Sequence, residues 1–197
     1  MSKLFLIPFL LLAVVTAHSQ NFQAAINNAR SAYTAGKLEE AHFALMQAMQ
    51  EVDLIVGKEV LKLLPQQMGD LAVNVKDDNV TTNAGFLGTT IHRTWGTTRK
   101  ADLSIIGNSP MIATINMFLN TPMLGGMVSD GNTKLIRIKG YKGQLQRETS
   151  SDGKIHYNIN IPLGNALFTF KVEETSDTEI LKLAETIPLD QIVKLIQ

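Results

Sequence analysis

Apolar residues along this chain change their period, and the changes mark its elements. From Asn21 to Leu64 the period is helical: Phe22, Ala25, Ile26, Ala29 and Tyr33 form one stripe, and Leu38, Ala41, Leu45, Ala48, Val52 and Val60 form a second. Gly36 separates the two and suits the left-handed position past a helix end, while Pro65 closes a second helix that would span about 40 Å. The pattern predicts a helical hairpin over residues 20–64. From Leu71 the period falls to two. Leu71, Val73 and Val75 alternate as a strand before Asp77-Asp78-Asn79, which reads as a turn. Gly85 to Gly88 is loose in pattern, and Thr89 to Trp95 with Ala101 to Ile106 then forms a hairpin across Gly96 to Lys100. A loop of those five residues sets Trp95 opposite Ala101, Arg93 opposite Leu103 and Ile91 opposite Ile105, which brings the apolar side chains together.

Thr133 to Glu173 reads as three antiparallel strands at the centre of the fold. Ile155, Tyr157, Ile159 and Ile161 alternate with polar residues and, after Gly164-Asn165, Ala166, Phe168, Phe170 and Val172 do the same. On the first of the three, Ile136 and Ile138 set one phase and Tyr141 and Leu145 the other, which predicts a bulge near Gly140. Ser151-Asp152-Gly153 supplies the turn to the next strand. Helices flank this core. Ser109-Pro110 opens one with Met111, Ile112, Ile115, Phe118 and Leu119 as its buried stripe, and Thr121-Pro122 starts a short turn that ends at Gly125-Gly126. Ser176-Asp177-Thr178-Glu179 is a capping box, and Pro188 separates that helix from a last one over Leu189 to Ile196. The fold class is α+β, a helical hairpin followed over residues 65–197 by an antiparallel sheet packed with helices.

The residues before the hairpin carry a different message. Lys3, the apolar run Leu4 to Val15 and the small residues of Ala17-His18-Ser19 form a secretory signal over residues 1–19, cut before Gln20. The run is too short to span a bilayer. The mature chain is therefore expected in the periplasm or outside the cell, with no transmembrane segment, and a Gln after the cut resembles exported proteins of some Gram-negative bacteria. Charge then narrows the partners: 18 basic and 18 acidic side chains, with Lys3 the single charge in the signal, leave a nearly neutral mature chain. Nucleic-acid binding gains no support from that balance. The chain has no Cys, which excludes a lipoprotein anchor, disulfides and thiol chemistry. A chain of this size buries roughly 70% of its unfolded surface, enough for a core without staples.

Ala29-Arg30-Ser31-Ala32-Tyr33 with Gly36, Leu38, Ala41, Leu45 and Ala48 resembles a single tetratricopeptide unit, in which small residues let two helices lie close. No second copy follows, so the resemblance does not imply a peptide-binding superhelix. From Leu71 onward the order of strand, hairpin, helix, meander and helix is similar to that of PsbP-like domains and of some small secreted bacterial lipoprotein domains. That similarity implies an accessory or binding protein without catalytic residues.

Candidate chemistry is sparse. The register above puts His92 opposite Ser104, with Asp102 and Thr94 beside them, a set that invites an envelope hydrolase. A mid-strand serine has no free backbone donors for an oxyanion, and the chain has no Gly-x-Ser-x-Gly elbow, so no catalytic residue is assigned. His42, His92 and His156 fall on separate elements without ligand spacing, and no metal or other cofactor is expected. Met111, Met117, Met123 and Met127 crowd one segment that could hold copper(I), but their uneven spacing among Ile, Leu and Phe fits core filler. Arg137, Lys139 and Lys142 should share one face beside the Gly140 bulge, with Lys134, Arg147 and Lys154 nearby, as a possible surface for an anion or partner. Lysines on a strand also keep sheets from pairing, which is the plainer account of that strip. The expected function is that of a non-enzymatic exported accessory protein binding an envelope protein, lipid or glycan; a hydrolase on the His92 face and a carrier of an apolar ligand are the alternatives.

Intact-mass measurement of protein recovered from its own cells should give the mass of residues 20–197. A mass that keeps residues 1–19, or adds a lipid, would reject the assigned signal.

Overall fold

The computed structural model describes residues 13–82, 88–120 and 132–197. The apolar run from Leu4 falls outside these as far as Leu12. The chain divides between Ile55 and Val56 into two compact units. The first holds helix α1 (Ala13–Thr34) and most of α2 (Leu38–Leu63). Gly36 turns the chain at φ 74°, the Lys37 N–H donates to Ala32 O at 2.9 Å, and the Gly36 N–H donates to Tyr33 O at 3.0 Å, closing the end of α1. Small residues make the helix contact: Ala25, Ala29, Ala41, Ala44 and Ala48 are buried. The larger members of the expected stripes are not. Tyr33, Leu38, Leu45 and Val52 are exposed, because two alanine-lined helices approach closely and cover only the seam between them.

The second unit contains two short strands, β1 (Gln67–Met68) and β2 (Leu71–Ala72), and a 3₁₀ turn over Val75–Asp77. A seven-stranded antiparallel sheet follows: β3 (Asn79–Thr81), β4 (Thr90–Trp95), β5 (Ala101–Gly107), β6 (Thr133–Ile138), β7 (Tyr141–Thr149), β8 (Ile155–Leu163) and β9 (Ala166–Val172). Their order across the sheet is β3-β4-β5-β9-β8-β7-β6. Helix α3 (Met111–Asn120) lies between β5 and β6 in the chain, and α4 (Asp177–Ala184) and α5 (Leu189–Ile196) close it. Among the described residues no helix is long and apolar enough to cross a membrane.

The β4–β5 register is the one the apolar pattern requires, with Trp95 opposite Ala101, Arg93 opposite Leu103 and Ile91 opposite Ile105. Continuing across β9 and β8, Leu103 meets Phe170, Phe170 meets Ile159, and Ile159 meets Leu145. One face is thus apolar from β4 to β7, and Val60, Leu64, Ile180, Leu183, Ile187, Leu189 and Ile192 join it in a single core. The capping box forms, with Ser176 Oγ accepting from the Glu179 N–H at 3.2 Å. Arg99 and Thr175 bond the Glu179 carboxylate at 2.7 and 2.8 Å and hold its pKa below the usual carboxylate range, Arg99 contributing most.

Three local expectations are corrected. No strand runs from Leu71 to Val75: Asn74 donates through Nδ2 to Thr94 Oγ1 and Gly96 O, the chain turns there, and Val75 is exposed. The Asp77-Asp78-Asn79 turn leads at once into β3, which the sequence pattern did not show. The bulge at Gly140 is a two-residue hairpin. Lys139 and Gly140 stand at φ 46° and 88°, so the phase change between Ile138 and Tyr141 comes from reversing the chain and not from an extra residue in one strand. Within α3 only Ile115 is buried and Met111 is exposed. Thr121-Pro122, Gly125-Gly126, Met123 and Met127 lie outside the described residues.

Arg93 occupies a core-facing position of β4 and is only 4% exposed. Its guanidinium grips Asp78 at 2.7 Å through Nε and 2.5 Å through Nη2, while Nη1 donates to Leu61 O at 2.8 Å and Leu64 O at 3.3 Å. Four acceptors thereby satisfy one buried cation, two of them carbonyls at the end of α2, where Leu61 O also accepts from the Leu64 N–H at 3.3 Å. Beside it Trp95 donates from Nε1 to Pro65 O at 2.9 Å. Arg93→Ala should lower the unfolding free energy by about 3–5 kcal/mol, since it strands the Asp78 carboxylate and the Leu64 carbonyl. Denaturant unfolding followed by Trp95, the one tryptophan of the chain, measures this; a loss under about 1 kcal/mol would show that the grip is not structural.

Candidate functional site

Alternation assigns the polar side chains to the other face of the sheet. His92, Asp102, Ser104, Thr169, Lys171, Asn158, His156, Gln146, Glu148, Lys142 and Arg137 share it by register. Helix α3 covers part of this face, lying on β7, β8 and β9. Ile115 and Leu167 are buried yet belong to no part of the main core, as expected for a helix seated on the side opposite α4 and α5.

Most of the polar groups are bonded to one another across strands. Thr169 Oγ1 donates to Asn160 Oδ1 at 3.0 Å, and Asn160 Nδ2 donates to Gln146 Oε1 at 3.2 Å, a chain spanning β9, β8 and β7. Lys171 on β9 reaches across β8 to Glu148 on β7 at 3.3 Å. Between those two strands His156 and Asn158 each keep a buried atom, Nδ1 and Oδ1, without a hydrogen-bond partner among the described residues. From sequence, His156 stands out only as a metal ligand to be weighed and Asn158 not at all, because a His and an Asn on a strand's polar phase are ordinary.

His92 and Asp102 meet, with Nε2 and Oδ2 2.8 Å apart and both side chains partly open to solvent. Ser104 stands opposite His92 in the ladder as the apolar register requires. Their chemistry stops there. Among the described residues the Ser104 hydroxyl makes no hydrogen bond to His92, and β5 is paired on both sides, so its amides belong to the ladders with β4 and β9. An acyl-transfer site needs a base on the nucleophile and free donors for the oxyanion, and this arrangement offers neither.

The cationic residues divide. Arg137 and Lys142 are directly opposite each other on β6 and β7, and Lys139 occupies the turn between these strands. All three are exposed, and among the described residues none has an ion-pair partner; Arg137 Nη1 donates to Gly140 O at 3.2 Å. The others expected nearby are elsewhere. Lys134 falls on the opposite face, across from Leu145, and bonds Asp177 at 2.8 Å, an interaction that raises the Lys134 pKa and lowers that of Asp177. Arg147 also belongs to that face, across from Tyr157, and Lys154 sits at the far end of the sheet, bonded to Glu174 at 2.6 Å. Among the described residues no group of three His, Asp or Glu side chains is placed to hold a metal ion.

No family model matches this chain, and no curated protein or solved structure matches it either.

A His92→Ala, Ser104→Ala double variant should behave as the parent in a screen of ester, amide and phosphate substrates. It should also melt within a few degrees of it, because an exposed pair such as His92 with Asp102 contributes about 0–1 kcal/mol. Turnover present in the parent and lost in an equally stable variant would establish catalysis on this face.

Proposed function

We propose that the mature chain is a non-enzymatic accessory protein of the bacterial cell envelope, exported to the periplasm or cell exterior, that binds an anionic partner at the β6–β7 hairpin. The observation that carries this reading is the set Arg137, Lys139 and Lys142. Three exposed cations gather at one end of a nearly neutral protein, whereas Lys134, Lys154 and Lys171 are each held by a carboxylate. Arg137 directly across from Lys142 is a like-charge pair, which costs stability in a ladder. Lys139 at φ 46° adds a left-handed residue with a Cβ. A ligand that needs several positive charges in one place accounts for both costs; edge protection needs only one.

The hydrolase reading has the His92–Asp102 contact in its favour but lacks an activated nucleophile. The satisfied chain from Thr169 to Gln146 suits a face whose polar groups serve the sheet.

Retention on an immobilised sulfated polysaccharide at low ionic strength tests the proposal. The parent should be held and released by moderate salt, and an Arg137→Glu, Lys139→Glu, Lys142→Glu variant should pass through unretained with an unchanged circular dichroism spectrum. Equal retention of the two proteins would remove the hairpin from any binding role.

A further inference from the structure

Among the described residues of the second unit, the large apolar side chains that are exposed are Val75, Met111, Met117, Leu135 and Leu195. Met111 and Met117 project from α3, which rests on the open face of the sheet, and Leu135 lies on that same face by register, two residues before Arg137. The cationic hairpin therefore shares its side of the second unit with three of these five side chains. The strand ends agree: β5 finishes at Gly107 opposite Ala166, so α3 starts from the end of the sheet that carries both the Gly164-Asn165 turn and the Lys139-Gly140 turn.

We propose that the anionic partner is the headgroup layer of a lipid bilayer, met by this face at its β6–β7 end; the inference rests on the function proposed above. A small soluble anion is best held by donors that converge, some of them buried. Arg137 and Lys142 stand side by side across the ladder with Lys139 in the turn beyond them, all three exposed on a convex hairpin with no buried donor among them, which suits an extended layer of phosphates better than one enclosed anion. Among the described residues, charge complementarity is not undone by nearby carboxylates. Asp190 lies beside Tyr141 on the opposite face, Asp177 is taken by Lys134, and Glu148 and Asp102 are engaged by Lys171 and His92. Leu135 and Met111 can enter the interface between headgroups and acyl chains, adding apolar burial to the electrostatic attraction.

Co-sedimentation of the mature chain with phosphatidylcholine vesicles, with and without phosphatidylglycerol, decides the matter. Binding should require the anionic lipid and weaken with salt. It should fall roughly 100-fold in an Arg137→Gln, Lys139→Gly, Lys142→Gln variant, a change whose glycine fits the turn and so preserves the fold. A Leu135→Trp variant should shift its emission to the blue on adding anionic vesicles, against the constant background of the fully buried Trp95. Equal binding to neutral vesicles, or equal binding by the neutralised variant, would overturn the proposal. Retention on the sulfated polysaccharide with no vesicle binding would overturn the bilayer as partner and leave the anion-binding function standing; failure on both supports would overturn both.

Discussion

A guanidinium on the apolar face of an inner strand is the constraint on which the second unit turns. Arg93 sits in the phase that Ile91 and Trp95 assign to the core, and a charge there is tolerable only with full coordination. Asp78 supplies the countercharge and the end of α2 supplies two carbonyls, so three separate pieces of chain must arrive together before the cation is stable. An apolar residue at this position would accept many arrangements of those pieces. Arg93 accepts one, which sets where the last turn of α2, Pro65 and the start of β3 lie against the sheet.

Much of this architecture is legible in the residues, for a physical reason. A strand register that is wrong by one residue turns every apolar side chain out, so the pattern of Ile91, Leu103 and Phe170 leaves a single solution. The pattern fails where one cue has two physical causes. A phase change between Ile138 and Tyr141 follows equally from a bulge and from a two-residue reversal, and Lys at the first turn position conceals the second because left-handed turns usually recruit Asn, Asp or Gly. Arg93 was placed correctly in the ladder, but its partners lie at Asp78 and Leu61, and no local periodicity points to them. In the helical hairpin the alanines carry the contact that larger stripe members were expected to share, since a helical period reports a face and not how much of it is covered.

The candidate site was legible by residue and less so by geometry. Arg137, Lys139 and Lys142 occupy one end of the sheet through a hairpin, while alternation puts Lys134 on the other face and Lys154 lies at the far end of the strands. Side-chain alternation sends Lys134 to the face that carries α4 and α5, where Asp177 in the first turn of α4 meets it. The same alternation leaves the opposite face to hydroxyls, amides and the exposed cations. Two kinds of surface thus arise from one sheet without any change in composition along its strands.

The strand order β3-β4-β5-β9-β8-β7-β6 also has a bearing on how the chain reaches this state. Strands β6 to β9 follow one another as a local meander, and β3 to β5 form a second. Only the seam pairing Ala101 with Val172 and Gly107 with Ala166 joins strands far apart in the chain. Each meander can zip from its own turns at little loop-closure cost, whereas the seam must close the whole intervening segment before any of its ladder forms. Assembly of the sheet is therefore set by the meeting of β5 and β9. Until that meeting Leu103, Ile105, Phe168 and Phe170 stand on open strand edges, the species most prone to pair with a neighbouring chain.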